Sequence, residues 1–395
     1  MPASDVVVAL QGVSNWSMHG IAVRDASWHS RGFQDGFDLD DSSAGSPSDA
    51  AVVVAGAKSV SIENCSFVGV GGGGVLLTEG ASGVSVVGSL FSRIGQSGVM
   101  GIGNGTTQPS NVQIESNTMD RIGETLNSAG GVFLTTARDV LVSGNKISNT
   151  SRWGVAMRSN GNEALSRNVV ISGNTIIRTG LHTRDFGGIS TIDSSEGSNT
   201  GVVIEGNCVR DVIGADTDQT GQLQRPFFSW ALYLDNFSSN TVVRKNVVVN
   251  SSYAGLFYHE GRNNSATNNV LAHSNTGKQS YQGAMYVLPS KTWPVNDSMH
   301  NGFSGNIVYS PGSGNAKAFP PAYLWITDGR KGDTTYLTPG LVSRNVYFDP
   351  AGNASASLQA FDGYSFPEWR AKGYDSESIV ADPMFVDPSK HDWRL

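Results

Sequence analysis

The stretches "VQIESNTM" at 112–119, "VLVSGNKI" at 140–147, "VVISGNTI" at 169–176 and "VVIEGNCV" at 202–209 are four copies of one element. Each reads apolar, any, apolar, two residues, Asn, any, apolar. "TVVRKNVV" at 241–248 and "NSATNNVL" at 264–271 continue the series, and "VSIENCSF" and "VSVVGSLF" begin it with Cys65 and Ser89 at the Asn position. The recurrent position falls at 65, 89, 117, 145, 174, 207, 246 and 269, with further candidates at 306 and 345. A period of this size marks stacked repeats.

A second element follows each copy: "GGVLLTE", "SGVMGIG", "GGVFLTT", "WGVAMRS", "GGISTID", "WALYLDN", "AGLFYHE" and "GAMYVLP". Each is too short for a helix and alternates as a strand with one buried face does. Short strands in units of this length, with Asn at a fixed bend, predict an all-β right-handed parallel β-helix of about ten coils. Asn tolerates the left-handed backbone of such a bend and bonds its equivalents above and below, so Asn117, Asn145, Asn174, Asn207, Asn246 and Asn269 read as a scaffold ladder. Leu is too sparse for a leucine-rich repeat, and propeller blade signatures are missing.

The reading is one domain over 1–395, with regular coils to 310 and irregular final coils with a C-terminal cap over 311–395, including a short helix at "FPEWRAKG". The chain begins inside a strand pattern, which leads us to expect truncation at the N-terminus, with cap and leader missing.

Composition narrows the function. With 38% hydrophobic and 15% charged residues and 48 glycines, the chain has material for a core and many turns. A net charge of −7 with no basic run argues against nucleic acid, and no apolar stretch is long enough for a membrane span. Cys65 and Cys208 lie five coils apart, about 24 Å at strand spacing, so both are expected to be free. The sequons at Asn15, Asn64, Asn236 and Asn353 are read as chance in a chain rich in Asn and Ser.

If the apolar pair of each second element points inward, two columns point outward. One reads Leu76, Met100, Phe133, Ala156, Ser190, Tyr233, Phe257, Tyr286. The other reads Thr78, Ile102, Thr135, Arg158, Ile192, Asp235, His259, Leu288. Towards the C-terminal half the first becomes aromatic and the second gains an acid and a histidine on adjacent coils. Asp185 enters the same sheet one coil before Asp235. Segments 177–187 and 212–228 interrupt the period there, and insertions on a solenoid wall a binding face.

Two carboxylates, a histidine and aromatic rings suit glycosidic-bond cleavage: one acid protonates the leaving oxygen, and the other carboxylate acts as base or nucleophile. Asp185, Asp235 and His259 are the catalytic candidates. Tyr233, Trp230, Phe257, Arg262, Glu260, Asp193 and Arg158 are the substrate-binding candidates. No cofactor and no metal set are expected, with calcium on Asp35, Asp38, Asp40 and Asp41 of "DGFDLDDSS" as a minor option, since that loop lacks EF-hand spacing.

These residues also carry a resemblance. "AAVVVAGAKSVSIENCSFVGVGGGGVLL", "RDFGGISTID", "SWALYLDNFSSNTVVRKNVVVN", "GLFYHEGRNNSATNNVL" and "FPEWRAKGYDSESIVADPMFVDP" resemble the right-handed parallel β-helix, pectin-lyase-like proteins, and more narrowly the glycoside hydrolase family 141 group. In that group an acid before the "GGI" strand and one after "YL" look like the catalytic pair, which implies Asp185 and Asp235 here. Asn236 stands where the group often carries another acid.

The expectation is a secreted or extracellular, monomeric hydrolase of a plant- or algal-type polysaccharide. Two alternatives stand beside it. One is a lyase or epimerase of the same fold acting on a uronate polymer, and the other is a non-catalytic glycan-binding or surface-structural β-helix.

Overall fold

In the computed structural model, the structure describes residues 5–27, 50–104, 106–158, 166–193, 201–274, 276, 283–288, 299–309, 323–326, 336–350 and 361–395. The acidic loop at 35–43 lies outside these residues.

The chain winds as a three-sided right-handed parallel β-helix. Every third strand joins the same sheet, giving, among the described residues, two sheets of eleven strands and a third of twelve, each in strict chain order. The first sheet runs from Val8–Gln11 to Leu324–Ile326 and contains the second sequence element. The second and third sheets divide the first element at its Asn. Val112 and Ile114 pair with Val140 and Val142 on one side, and Met119 pairs with Ile147 on the other.

Stacking produces the core that no coil has alone. Inward residues such as Val132, Leu134, Ile189, Leu232 and Leu234 are fully or almost fully buried in one continuous cluster. Phe67 and Phe91 stack at 4.7 Å, about the spacing of neighbouring strands.

The Asn bend is a hydrogen-bonded column. The backbone N–H of Asn145 donates to Asn174 Oδ1 at 3.0 Å, and its Nδ2 donates to the same oxygen at 2.9 Å and to the Ile114 carbonyl at 2.8 Å. The same pattern links Asn174 to Asn207 and Asn207 to Asn246. It continues through Asn246, Asn269, Asn306 and Asn345. At the N-terminal end Ser89 and Cys65 occupy the position, with Cys65 N–H donating to Ser89 Oγ.

At the C-terminal end the Asn345 side chain donates to buried Asp375, which also accepts from Tyr347 and from the indole of Trp369. Trp369 lies on the helix Phe366–Ala371, where the sequence predicted one. The helix thus anchors a carboxylate that ends the ladder. Cys65 and Cys208 are both free.

A second, shorter ladder was not legible in the repeat. At the bend after the first sheet, Thr241 N–H donates to Asn264 Oδ1 and Asn264 N–H to Asn301 Oδ1. It occupies only the coils that follow the 212–228 insertion.

Because each ladder oxygen serves two donors from the coil before, Asn207→Ala strands the Asn174 N–H and amide and the Ile171 carbonyl that Asn207 itself serves. We expect it to cost roughly 2–4 kcal/mol in urea unfolding. Arg244→Ala, at an exposed ion pair with Glu205, should cost no more than about 1 kcal/mol.

Candidate functional site

The outward columns of the first sheet are in the register that alternation implies. Arg158 pairs with Ile192 and Ile192 with Asp235, while Ser190 pairs with Tyr233, Tyr233 with Phe257 and Phe257 with Tyr286. Asp235 is the last residue of the strand Trp230–Asp235, and His259 is the last of Leu256–His259 on the next coil.

His259 Nδ1 lies 2.7 Å from Asp235 Oδ1. This contact assigns the proton to Nδ1, facing the carboxylate, and leaves Nε2 to face away. Asp235 Oδ1 also accepts the N–H of Asn236 at 2.8 Å. The Tyr233 hydroxyl stands 3.4 Å from the same imidazole nitrogen. Burial, followed by the charges of Asp235 and Asp185, pushes the Tyr233 phenol well above its usual value, so it stays a neutral donor.

Asp185 sits just ahead of the strand Gly187–Ile192, in left-handed backbone at φ 55°. A short polar side chain tolerates that conformation. Its N–H donates to the Phe228 carbonyl at 2.7 Å, and its own carbonyl accepts from Arg152 Nη2 at 2.8 Å. The 212–228 insertion therefore grips this residue from one side and the preceding coil from the other. Gly187 is needed because an added Cβ would come within 2.7 Å of Tyr233 Cβ and 2.9 Å of Ser190 Oγ.

Asp185 and Asp235 line one cleft, together with Arg152, Arg158, Ser190 and Tyr233. Burial is the main cause that raises the Asp185 carboxyl above the usual range, and the Asp235 charge adds to it. Arg152, His259 and Arg184 oppose the shift without cancelling it.

Other sequence candidates lie elsewhere. Phe257 points outward in sequence register, whereas Trp230 shares the parity of inward Leu232 and Leu234 yet packs with the outward rings at the start of its strand; both are only 2% exposed. Tyr233 stacks on Phe257 of the next coil at 4.7 Å, Phe257 meets Tyr286 of the coil after at a tilt at 4.4 Å, and Trp230 tilts against Tyr233 of its own strand at 4.5 Å. They form a buried aromatic column, not open sugar platforms, and only Tyr233 reaches the cleft with its hydroxyl. Asp193 is a second correction. It follows outward Ile192, so alternation turns it inward and it is fully buried.

Glu260 and Arg262 lie past the end of the sheet, where their backbone N–H groups donate to the Leu288 carbonyl and to Ser239 Oγ. Neither lines the cleft between the two aspartates.

Arg152 is the residue that column reasoning missed. It precedes the strand Trp153–Arg158, outside the alternating register, and its guanidinium lies 4.3 Å over the Trp153 ring and donates to Ser128 Oγ. The signal that drew attention to Asp185, a charge just before a strand beside an insertion, would have found it. Among the described residues no group of three or more His, Cys, Asp or Glu could hold a metal ion, and no helix is long and apolar enough to cross a membrane.

The family described as "Right handed beta helix region" matches residues 50–221. A mutant tailspike protein of Escherichia coli bacteriophage HK620, solved in complex with a pentasaccharide, is similar with a TM-score of 0.51 at 12% identity, covering 80% of this chain and 54% of that one. The chain thus spans about half the length of that tailspike. A structure titled "Glycoside hydrolase" is similar at TM-score 0.39 and 20% identity over 56% of this chain and 37% of that one. A mutant of the periplasmic alginate epimerase AlgG is similar at 0.39 and 14%, over 75% and 70%. No curated protein matches the chain. At 12% identity the likeness to the tailspike shows the right-handed parallel β-helix fold alone.

Asp185 generates a test independent of activity. A carboxyl raised in the folded state contributes stability fully below the unfolded carboxylate value and loses it as pH rises through the folded one. At neutral pH it is a cost. Asp185→Asn should therefore melt higher than the unaltered protein at neutral pH, with the difference shrinking in acid, as read by calorimetry across pH.

Proposed function

We propose that the protein hydrolyses glycosidic bonds of a plant- or algal-type polysaccharide outside the cytoplasm, with Asp185 as general acid and Asp235 as its partner carboxylate. The observation that carries this reading is the one cleft that Asp185, its carboxyl raised mainly by burial, shares with Asp235, which His259 hydrogen-bonds. Two carboxyl groups whose environments differ in this way divide into acid and base.

In the step, Asp185 gives its proton to the glycosidic oxygen as the bond from that oxygen to the anomeric carbon breaks. The departing sugar leaves as an alcohol. Asp235 faces the positive charge that develops at the anomeric carbon. It then either takes the proton of the attacking water, or bonds to the carbon until a water whose proton returns to Asp185 replaces it. His259 and the Tyr233 hydroxyl hydrogen-bond Asp235 and hold it in place, and the buried aromatic column holds Tyr233 and His259. The carbohydrate-bound tailspike of the same fold is in keeping with an outer-face glycan site.

The test is a screen against plant and algal polysaccharides with product analysis. On any glycan that is cleaved, Asp185→Asn and Asp235→Asn should each lower kcat by about 10²–10⁴. Full activity in both variants overturns the assignment, and a product with an ultraviolet-absorbing double bond would mark elimination instead.

The pH profile supplies a second check. With Asp185 as the acid, the alkaline limb follows its raised carboxyl and lies above the ordinary carboxylate range. In the residual activity of Asp235→Asn that limb should move to lower pH, because the charge that helped to raise Asp185 is gone.

A further inference from the structure

The cleft between the aspartates does not end at Asp185. Arg152 lines it and also lines a larger groove of about 710 Å³, which runs over the corner between the third and first sheets. Leu181, His182 and Thr183 lie along this groove, and Leu181 and His182 continue into a smaller depression that includes Arg121 and Asn149. Ile122, Ser151, Leu181 and Ala215 mark successive coils, so the track crosses three coil steps, about 14 Å.

The far wall is the antiparallel hairpin of Asp216–Thr217 and Leu223–Gln224, formed within the 212–228 insertion. Asp218 stiffens its turn by accepting from the N–H groups of Thr220 and Gln222. Arg184 on the floor joins Asp216 on the wall in an ion pair at 2.5 Å. Leu223 stands 61% exposed on this braced hairpin, an apolar side chain kept in water at the rim. Hydroxyl, amide and guanidinium groups beside scattered apolar side chains are what a sugar chain meets in a binding site, with polar edges bonded and apolar ring faces covered.

We propose that this groove binds the leaving-group side of an extended glycan, so that the protein recognises a chain of several sugars beyond the bond it cleaves. The inference rests on Asp185 being the general acid. The acid protonates the oxygen that departs, and the groove opens on the Asp185 side of the pair, away from Asp235 and His259. The 212–228 insertion then has two tasks: its Phe228 carbonyl fixes Asp185, and its hairpin walls the path of the departing chain.

The experiment presents full-length protein carrying Asp185→Asn to an array of plant and algal glycans graded from mono- to octasaccharides. Binding should strengthen with chain length. Leu223→Ser combined with Arg225→Ala, both at exposed positions of the wall, should weaken binding of the longest bound glycan about tenfold relative to the shortest. Thr183→Trp, which fills the groove floor, should do the same by a different route. Equal retention of short and long glycans overturns the proposal, as does no retention at any length or a length dependence unchanged in both groove variants. Because the array needs no turnover, these outcomes are separate from failure of the hydrolytic reading, which shows as full activity in Asp185→Asn and Asp235→Asn.

Discussion

The structure depends on one constraint: no coil can satisfy its own buried bend. Each ladder Asn takes two hydrogen bonds from the coil before and gives its own donors to the coil after and to a carbonyl of the coil before. A one-residue slip would leave these groups buried and unpaired and would turn every apolar side chain outward. Register is therefore held over the whole stack, from Cys65 to Asp375. The functional face inherits its order from that register. Asp235 and His259 meet because their bends are locked one coil apart.

The site forms where regularity gives way. Within the ladder a carboxylate such as Asp375 is wrapped in donors. At the insertions Asp185 is placed with its backbone tied on both sides and its carboxyl turned towards another acid. A free chain would relax this arrangement by rotating one residue. Here the Phe228 carbonyl and the Arg152 guanidinium tie the Asp185 backbone, so the scaffold carries a burial and electrostatic cost that chemistry can use. The stacked rings beneath play the same part. They contribute rigidity under Tyr233 and His259 rather than surface for a sugar.

Much of this was legible from residues alone, and the failures have physical causes. Alternation placed Arg158, Ile192 and Asp235 in one column because side-chain direction in a strand has a period of two. The same rule, carried one residue further, would have turned Asp193 inward. Period two says which way Phe257 points but not what covers it, and it does not govern Trp230 at the start of its strand, so neither the sequence nor its alternation shows that these rings bury one another. Arg152 and the second ladder at Asn264 and Asn301 lie in corners, where no period operates.

By itself the sequence determined the fold and its register. A bend with a buried polar group and strands with one apolar face have few other ways to be satisfied, and their repetition states the solution many times over. It also determined which residues share a column. Tertiary structure alone decided what those residues do to one another: that burial raises the Asp185 carboxyl, that His259 faces Asp235 through Nδ1, and that Arg152 joins the cleft to a groove. These properties come from burial and from distances across loops of irregular path. Such loops have no repeat from which a position could be read.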